Sequence, residues 1–210
     1  FLQQLLILPV ALLIELMGIH LSTAWLNIVF FVLNFLIITI GMRKYLRSCL
    51  RHFGKHFGNC LYVATAGFLV YWAVNLVISI AITLYWPEFT NANDANLAAM
   101  SGERYWVFFA CTVLLVPITE EVLFRGVLFQ SIRKRSRVWA YIASLAVFGL
   151  YHTWQFALMY QDPVYLLYSL QYIPITFALT WSYEKSGSLW TAIFFHATNN
   201  YLAMQLTQMM

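Results

Sequence analysis

Charge is what this 210-residue sequence lacks most. Lys, Arg, Asp and Glu together make up 10% of it and hydrophobic residues 62%, whereas a soluble domain carries about 25% charged residues. That balance excludes an ordinary soluble globule. Cysteine is also scarce: Cys49, Cys60 and Cys111 are an odd set, one of them inside an apolar run, which excludes a disulfide framework. No repeat or low-complexity stretch divides the chain, so a single domain over 1–210 is expected, with no inverted repeat of the kind that marks many transporters. Several chemical signatures are missing. There is no GxSG of a serine enzyme, no GxGD of an aspartyl one and no HExxH helix, and Asp94 and Asp162 fall in predicted loops. No separate signal peptide is discernible, and the sequence opens on Phe1 rather than Met.

What is present is apolar helix. About 20 consecutive apolar residues span a bilayer, and seven such runs are discernible: 1–20, 24–41, 61–86, 105–130, 138–160, 164–182 and 188–207. The expected fold is therefore all-α, a multi-pass transmembrane helical bundle of about seven helices. Aromatics at 18% suit two interfacial belts. The formal charge of +4 is local in origin and gives no reason to invoke nucleic acid. Arg43, Lys44, Arg47, Arg51 and Lys55 follow the second run, and Arg133, Lys134, Arg135 and Arg137 follow the fourth. Both basic segments are expected in cytoplasmic loops, and the 87–104 loop, with Glu88, Asp94 and Glu103 against Arg104, outside. Cys49, His52, His56 and Cys60 are zinc-ligand types, but their spacing matches no common finger, and a basic loop meeting anionic lipid is the better reading.

Against this background "VPITEEVLFRGVLF" (Val116 to Phe129) stands out. Glu120 and Glu121 lie near the middle of the fourth run, His152 near the middle of the fifth, and His196 and Asn200 near the middle of the seventh. A charge at mid-bilayer costs on the order of 2.5–3.5 kcal/mol, and such residues face the bundle or a cavity. Groups at matching depth on three helices can converge on one site. Glu121 and Arg125 stand four residues apart and can pair on one helix face. Glu120 is turned by about 100° from Glu121 and stays free for chemistry. His196 and Asn200 also share a face, with Asn199 a competitor for that role. Pro117, one turn earlier, removes a helix hydrogen bond and is expected to kink the helix and open a wet pocket. Helix–helix glue in membranes uses Ser, Thr, Asn and small residues; a carboxylate with two imidazoles points to chemistry.

"EEVLFR" (Glu120, Glu121, Arg125) resembles an EExxxR motif, "FGLYH" (Phe148 to His152) an FxxxH motif, and "HATNN" (His196 to Asn200) an HxxxN motif. In that order they resemble the type II CAAX prenyl endopeptidases and bacteriocin-processing membrane proteases, the CPBP or Abi family. The resemblance covers residues 120–200, within a motif-bearing core of 105–207. It implies an intramembrane endopeptidase in which Glu120 activates water, His152 assists, His196 and Asn200 hold the oxyanion, and Glu121 and Arg125 support the site. It leaves two chemistries open. A metal-free one, with no cofactor, is favoured; in the other, zinc is held by Glu120, His152 and His196. The implied partners are the lipid bilayer and a membrane-associated protein or peptide substrate, in what the compact length suggests is a prokaryotic plasma membrane. The rival readings are a non-catalytic membrane peptide-binding or immunity protein and a proton-coupled transporter.

Overall fold

The computed structural model describes residues 7–86 and 105–209, so residues 1–6 of the first expected run, and the 87–104 loop with its acidic residues, lie outside the described residues. The described elements are helical throughout. They are α1 (Ile7–Leu16), α2 (Thr23–Gly41), α3 (Arg43–Lys55), α4 (Phe57–Tyr85), α5 (Tyr105–Arg133), α6 (Arg137–Met159), α7 (Ile173–Ser186) and α8 (Leu189–Met209). The chain forms an all-α membrane bundle. Leu61, Tyr62, Leu69, Val70, Val77 and Leu84 on α4 alone are exposed, and an apolar wall of that extent is stable facing lipid, not water.

The structure corrects the expected spans in three places. Of the described helices four, α2, α4, α5 and α6, are both long and apolar enough to cross a membrane. α8 has the length, with 21 residues, but carries His196, Thr198, Asn199 and Asn200 on its middle turns. The expected run 164–182 is broken: Val164–Leu167 is a short helical turn, Tyr168–Tyr172 is 3₁₀, and α7 starts only at Ile173, with Pro174 in its first turn. Proline has no N–H to donate and suits a helix start better than its middle.

The third correction concerns the basic segment after α2, which is helix α3 rather than a loop. Leu46 is buried and Met42, Tyr45, Cys49, His52 and Phe53 are half-buried, whereas Arg43, Lys44, Arg47, Arg51 and Lys55 are exposed. That is one stripe at three- and four-residue spacing, enough to seat an amphipathic helix. Backbone carbonyls hold it in place: Trp190 Nε1 donates to Leu46 O at 3.2 Å and Ser188 Oγ to Cys49 O at 3.1 Å, and His52 Nε2 lies 3.1 Å from Ser186 O. α3 thereby caps the α7–α8 turn, where Gly187 takes the left-handed conformation (φ 69°) that lets the chain reverse.

Arg133 and Arg137 reach the same end. Both bind Glu184, at 2.8 and 2.7 Å, and Tyr141 Oη adds a third donor at 2.9 Å. Both basic segments thus lie together. Partial burial pushes Glu184 up, but the hydrogen bonds from Arg137, Arg133 and Tyr141 outweigh it and hold the carboxyl at about 2 instead of 4.5. A depressed carboxylate stabilises the fold above its unfolded value and ceases to as pH falls through its folded value. The Tm advantage of the wild type over Glu184→Gln, a few degrees in detergent, is therefore expected to be constant from pH 8 to 6. It should shrink as pH drops from about 4.5 toward about 2; a difference that grows on acidification would contradict this.

Candidate active site

Two cores frame the site. One gathers Leu46, Val122, Phe129, Leu179, Leu189 and Phe195 at the α3 end, and the other Ile28, Phe108, Cys111, Val113 and Met204 at the opposite end. Between them α5 is not a regular helix. Cys111–Leu115 and Val122–Phe129 are π-helical, and the glutamates sit on the α-helical piece between them, Val116–Glu121. Pro117 accounts for the first distortion, because its ring would strike the carbonyl of Val113 in a regular helix. A wider turn relieves that contact, and Val116 N–H bonds Cys111 O. In the same five-residue pairing Thr112 O would need an N–H at position 117, which proline lacks. Asn200 Nδ2 donates to Thr112 O instead, at 3.0 Å, leaving its second N–H for another acceptor. What stands before Pro117 is a π turn.

Glu121 is fully buried and shared. Arg125 Nη1 donates to its Oε1 at 2.9 Å, and His196 Nδ1 lies 2.8 Å from the same oxygen. Arg125 is itself fully buried, donates to Thr176 O at 3.4 Å, and holds its guanidinium 4.8 Å over the ring of Phe148. A carboxylate paired with arginine can only accept, so His196 Nδ1 must carry the proton and donate. His152 is treated alike: its Nδ1 lies 2.9 Å from Phe148 O, a pure acceptor. In the neutral imidazole the other nitrogen is then a lone pair. Both Nε2 atoms face Glu120 Oε2, His152 at 3.8 Å and His196 at 3.9 Å. Oε2 itself is buried with no hydrogen-bond partner.

Glu120, Glu121, Arg125, His152 and His196, named from three separate runs of sequence, are thus neighbours. Asn200, one turn beyond His196 on α8, bonds Thr112 O. Among the described residues Asn199 makes no hydrogen bond to this cluster. The donor types suit zinc, as does the outward hydrogen bond made by each imidazole. The separations do not: ligand atoms around a tetrahedral zinc with bonds of about 2.0–2.2 Å lie roughly 3.3–3.5 Å apart. No trio of His, Cys, Asp or Glu among the described residues is close enough to hold a metal ion. That holds for Cys49, His52, His56 and Cys60 too, where Cys60 is fully buried and His52 is engaged by Ser186 O. Three participants had no signal as single residues: Thr112, Thr176 and Tyr172, whose ring stacks on His152 at 4.6 Å and 24°.

A helical membrane bundle with a buried carboxylate between two imidazoles is the class that fold and site define. Residues 102–202 match the profile of the type II CAAX prenyl endopeptidase Rce1-like family. The motif-bearing region is thus similar to that family. Among curated relatives, the uncharacterized protein YyaK of Bacillus subtilis is 26% identical over 148 residues, 68% of this chain and 47% of that protein. The UPF0177 protein YxdF of Lactococcus lactis is 30% identical over 87 residues, 41% of this chain and 42% of that protein. The chain spans less than half the length of either relative. No solved structure matches it.

Removing one partner of a fully buried ion pair strands the other charge, at about 3–5 kcal/mol. Arg125→Met is accordingly expected to lower the melting temperature far more than Arg133→Gln, whose side chain is 43% exposed. Equal losses in thermal unfolding would show that Glu121 finds other support.

Proposed function

We propose that the protein is an intramembrane endopeptidase that hydrolyses a peptide bond in a membrane-associated protein or peptide, with Glu120 as general base. The observation that carries this reading is Glu120 Oε2, buried without a hydrogen-bond partner and flanked by two imidazole lone pairs. Three acceptors turned toward one point call for a proton donor between them, and water is the donor that peptide hydrolysis requires. Glu120 takes one proton as the hydroxide adds to the carbonyl carbon, and His152 Nε2, 3.8 Å away, holds or passes it. The free N–H of Asn200 meets the oxyanion. His196 Nε2, 3.9 Å from Glu120 Oε2 and unprotonated at rest, can take up the proton from Glu120 during the reaction and then adds a second donor from the side opposite Glu121. Collapse breaks the C–N bond, and the departing nitrogen takes the proton gathered by Glu120 and the two histidines.

The match of residues 102–202 to that family supports an endopeptidase, and Glu120, His152, His196 and Asn200 lie within the matched region. The relatives come from Bacillus and Lactococcus, which supports a bacterial plasma membrane. With both basic segments at one end, that end faces the cytoplasm. The reaction needs no metal as drawn.

Purified protein is to be assayed on a membrane-peptide library beside Glu120→Gln, with and without a zinc chelator. Losing the general base is expected to slow cleavage by about 10²–10⁴-fold, with the chelator inert. Loss on chelation would move the chemistry to zinc held by Glu120, His152 and His196. Full activity in Glu120→Gln would overturn the assignment.

A further inference from the structure

His152 is held by contacts within its own helix and by one neighbour outside it. Its Nδ1 is anchored on Phe148 O, one turn earlier on α6, and the Phe148 ring lies against one side at 4.5 Å. Both contacts come from α6 itself. Tyr172, from outside α6, stacks on the imidazole at 4.6 Å and 24°, with its own ring 6.3 Å from that of Phe148. Tyr172 ends the 3₁₀ segment Tyr168–Tyr172, which returns from the α6 terminus toward α7. It belongs to none of the three motifs.

The approach of that segment depends on Gly149, one turn before Thr153 on α6. A Cβ at Gly149 would stand 2.7 Å from Ser169 O and 3.1 Å from Ser169 Cβ. The first contact is with backbone, so any side chain at 149 displaces the segment rather than a flexible side-chain tip. Leu170 on the segment is exposed, and Tyr172 makes the inward contact. Two separate features, a notch at Gly149 and an aromatic three residues beyond the segment's point of contact, thus deliver one ring onto His152.

We propose that Tyr172 is a positioning residue for His152, and that Gly149 is glycine so that the Tyr168–Tyr172 segment can dock closely enough to place it. The proposal rests on the catalytic reading of His152. The ring contact does the work, because stacking holds the imidazole plane so that Nε2 keeps facing Glu120 Oε2 at 3.8 Å. The phenol oxygen has no part in it.

The test uses the full chain in lipid nanodiscs. Tyr172→Leu removes the aromatic face and is expected to lower kcat by about tenfold or more, the scale on which small misplacements of a catalytic group act. KM is expected to stay within about twofold, the pattern of an interaction needed for the reaction step. Tyr172→Phe keeps the ring and is expected to restore the rate, and Gly149→Ala to repeat the Leu defect through the displaced segment. A second readout does not need cleavage: modification of His152 by diethyl pyrocarbonate, located by mass spectrometry, is expected to speed up in Tyr172→Leu and Gly149→Ala but not in Tyr172→Phe. Tyr172→Leu cleaving at the wild-type rate, or His152 modification unchanged in both variants, overturns the proposal. If Glu120→Gln loses cleavage and Tyr172→Leu does not, only the positioning role fails. If nothing cleaves, the modification rates still decide it.

Discussion

Everything at the centre of the bundle depends on one carboxylate oxygen. Glu121 Oε1 accepts from Arg125 at 2.9 Å and from His196 Nδ1 at 2.8 Å, with Glu121 and Arg125 both fully buried. Neither charge could sit there alone, since an uncompensated buried ion is far more costly than a paired one. Together they bind α5 to α8, and through Arg125 Nη2 on Thr176 O to α7. The same oxygen decides which nitrogen of His196 carries the proton. A structural ion pair therefore sets the chemical state of the atom that faces Glu120.

Adjacent glutamates can do such different things because they stand about 100° apart on the α-helical piece of α5, which is distorted on either side of them. In a regular helix Thr112 O would be used within α5, and Asn200 would lack this partner. Pro117 removes the amide that the π turn would offer Thr112, and Asn200 on α8 takes the vacant acceptor at 3.0 Å. One missing N–H thus sets the Asn200 amide against α5. Irregular helix of this kind is tolerated at membrane depth where neighbours satisfy the freed backbone groups.

Which parts of this were readable beforehand follows from contrast. In a chain with 10% charged residues, Glu120, Glu121, Arg125, His152 and His196 are conspicuous, and the four-residue spacing of Glu121 and Arg125 already pairs them. The apolar runs of α2, α4, α5 and α6 were legible for the same reason. α3 was not, because its cations read as a loop, although Met42, Tyr45, Leu46, Cys49 and His52 form a helical stripe. The polar turns of α8 lower its hydropathy although its length would let it span. Tyr172 had no contrast among thirteen tyrosines, and its contact arises only from the docking of a 3₁₀ segment. Thr112 had no signal either, because Pro117 frees its carbonyl only where α5 widens into a π turn.

The most direct test of this account reads the protons themselves. In ¹⁵N-histidine-labelled protein in nanodiscs at neutral pH, His196 and His152 are predicted to show a protonated Nδ1 and an unprotonated Nε2. Glu121→Gln is predicted to shift the His196 signals while leaving those of His152 in place. A proton on Nε2 of His196 in the wild type would contradict the arrangement, because the imidazole would then offer Glu120 a donor and Glu121 would not be setting its state.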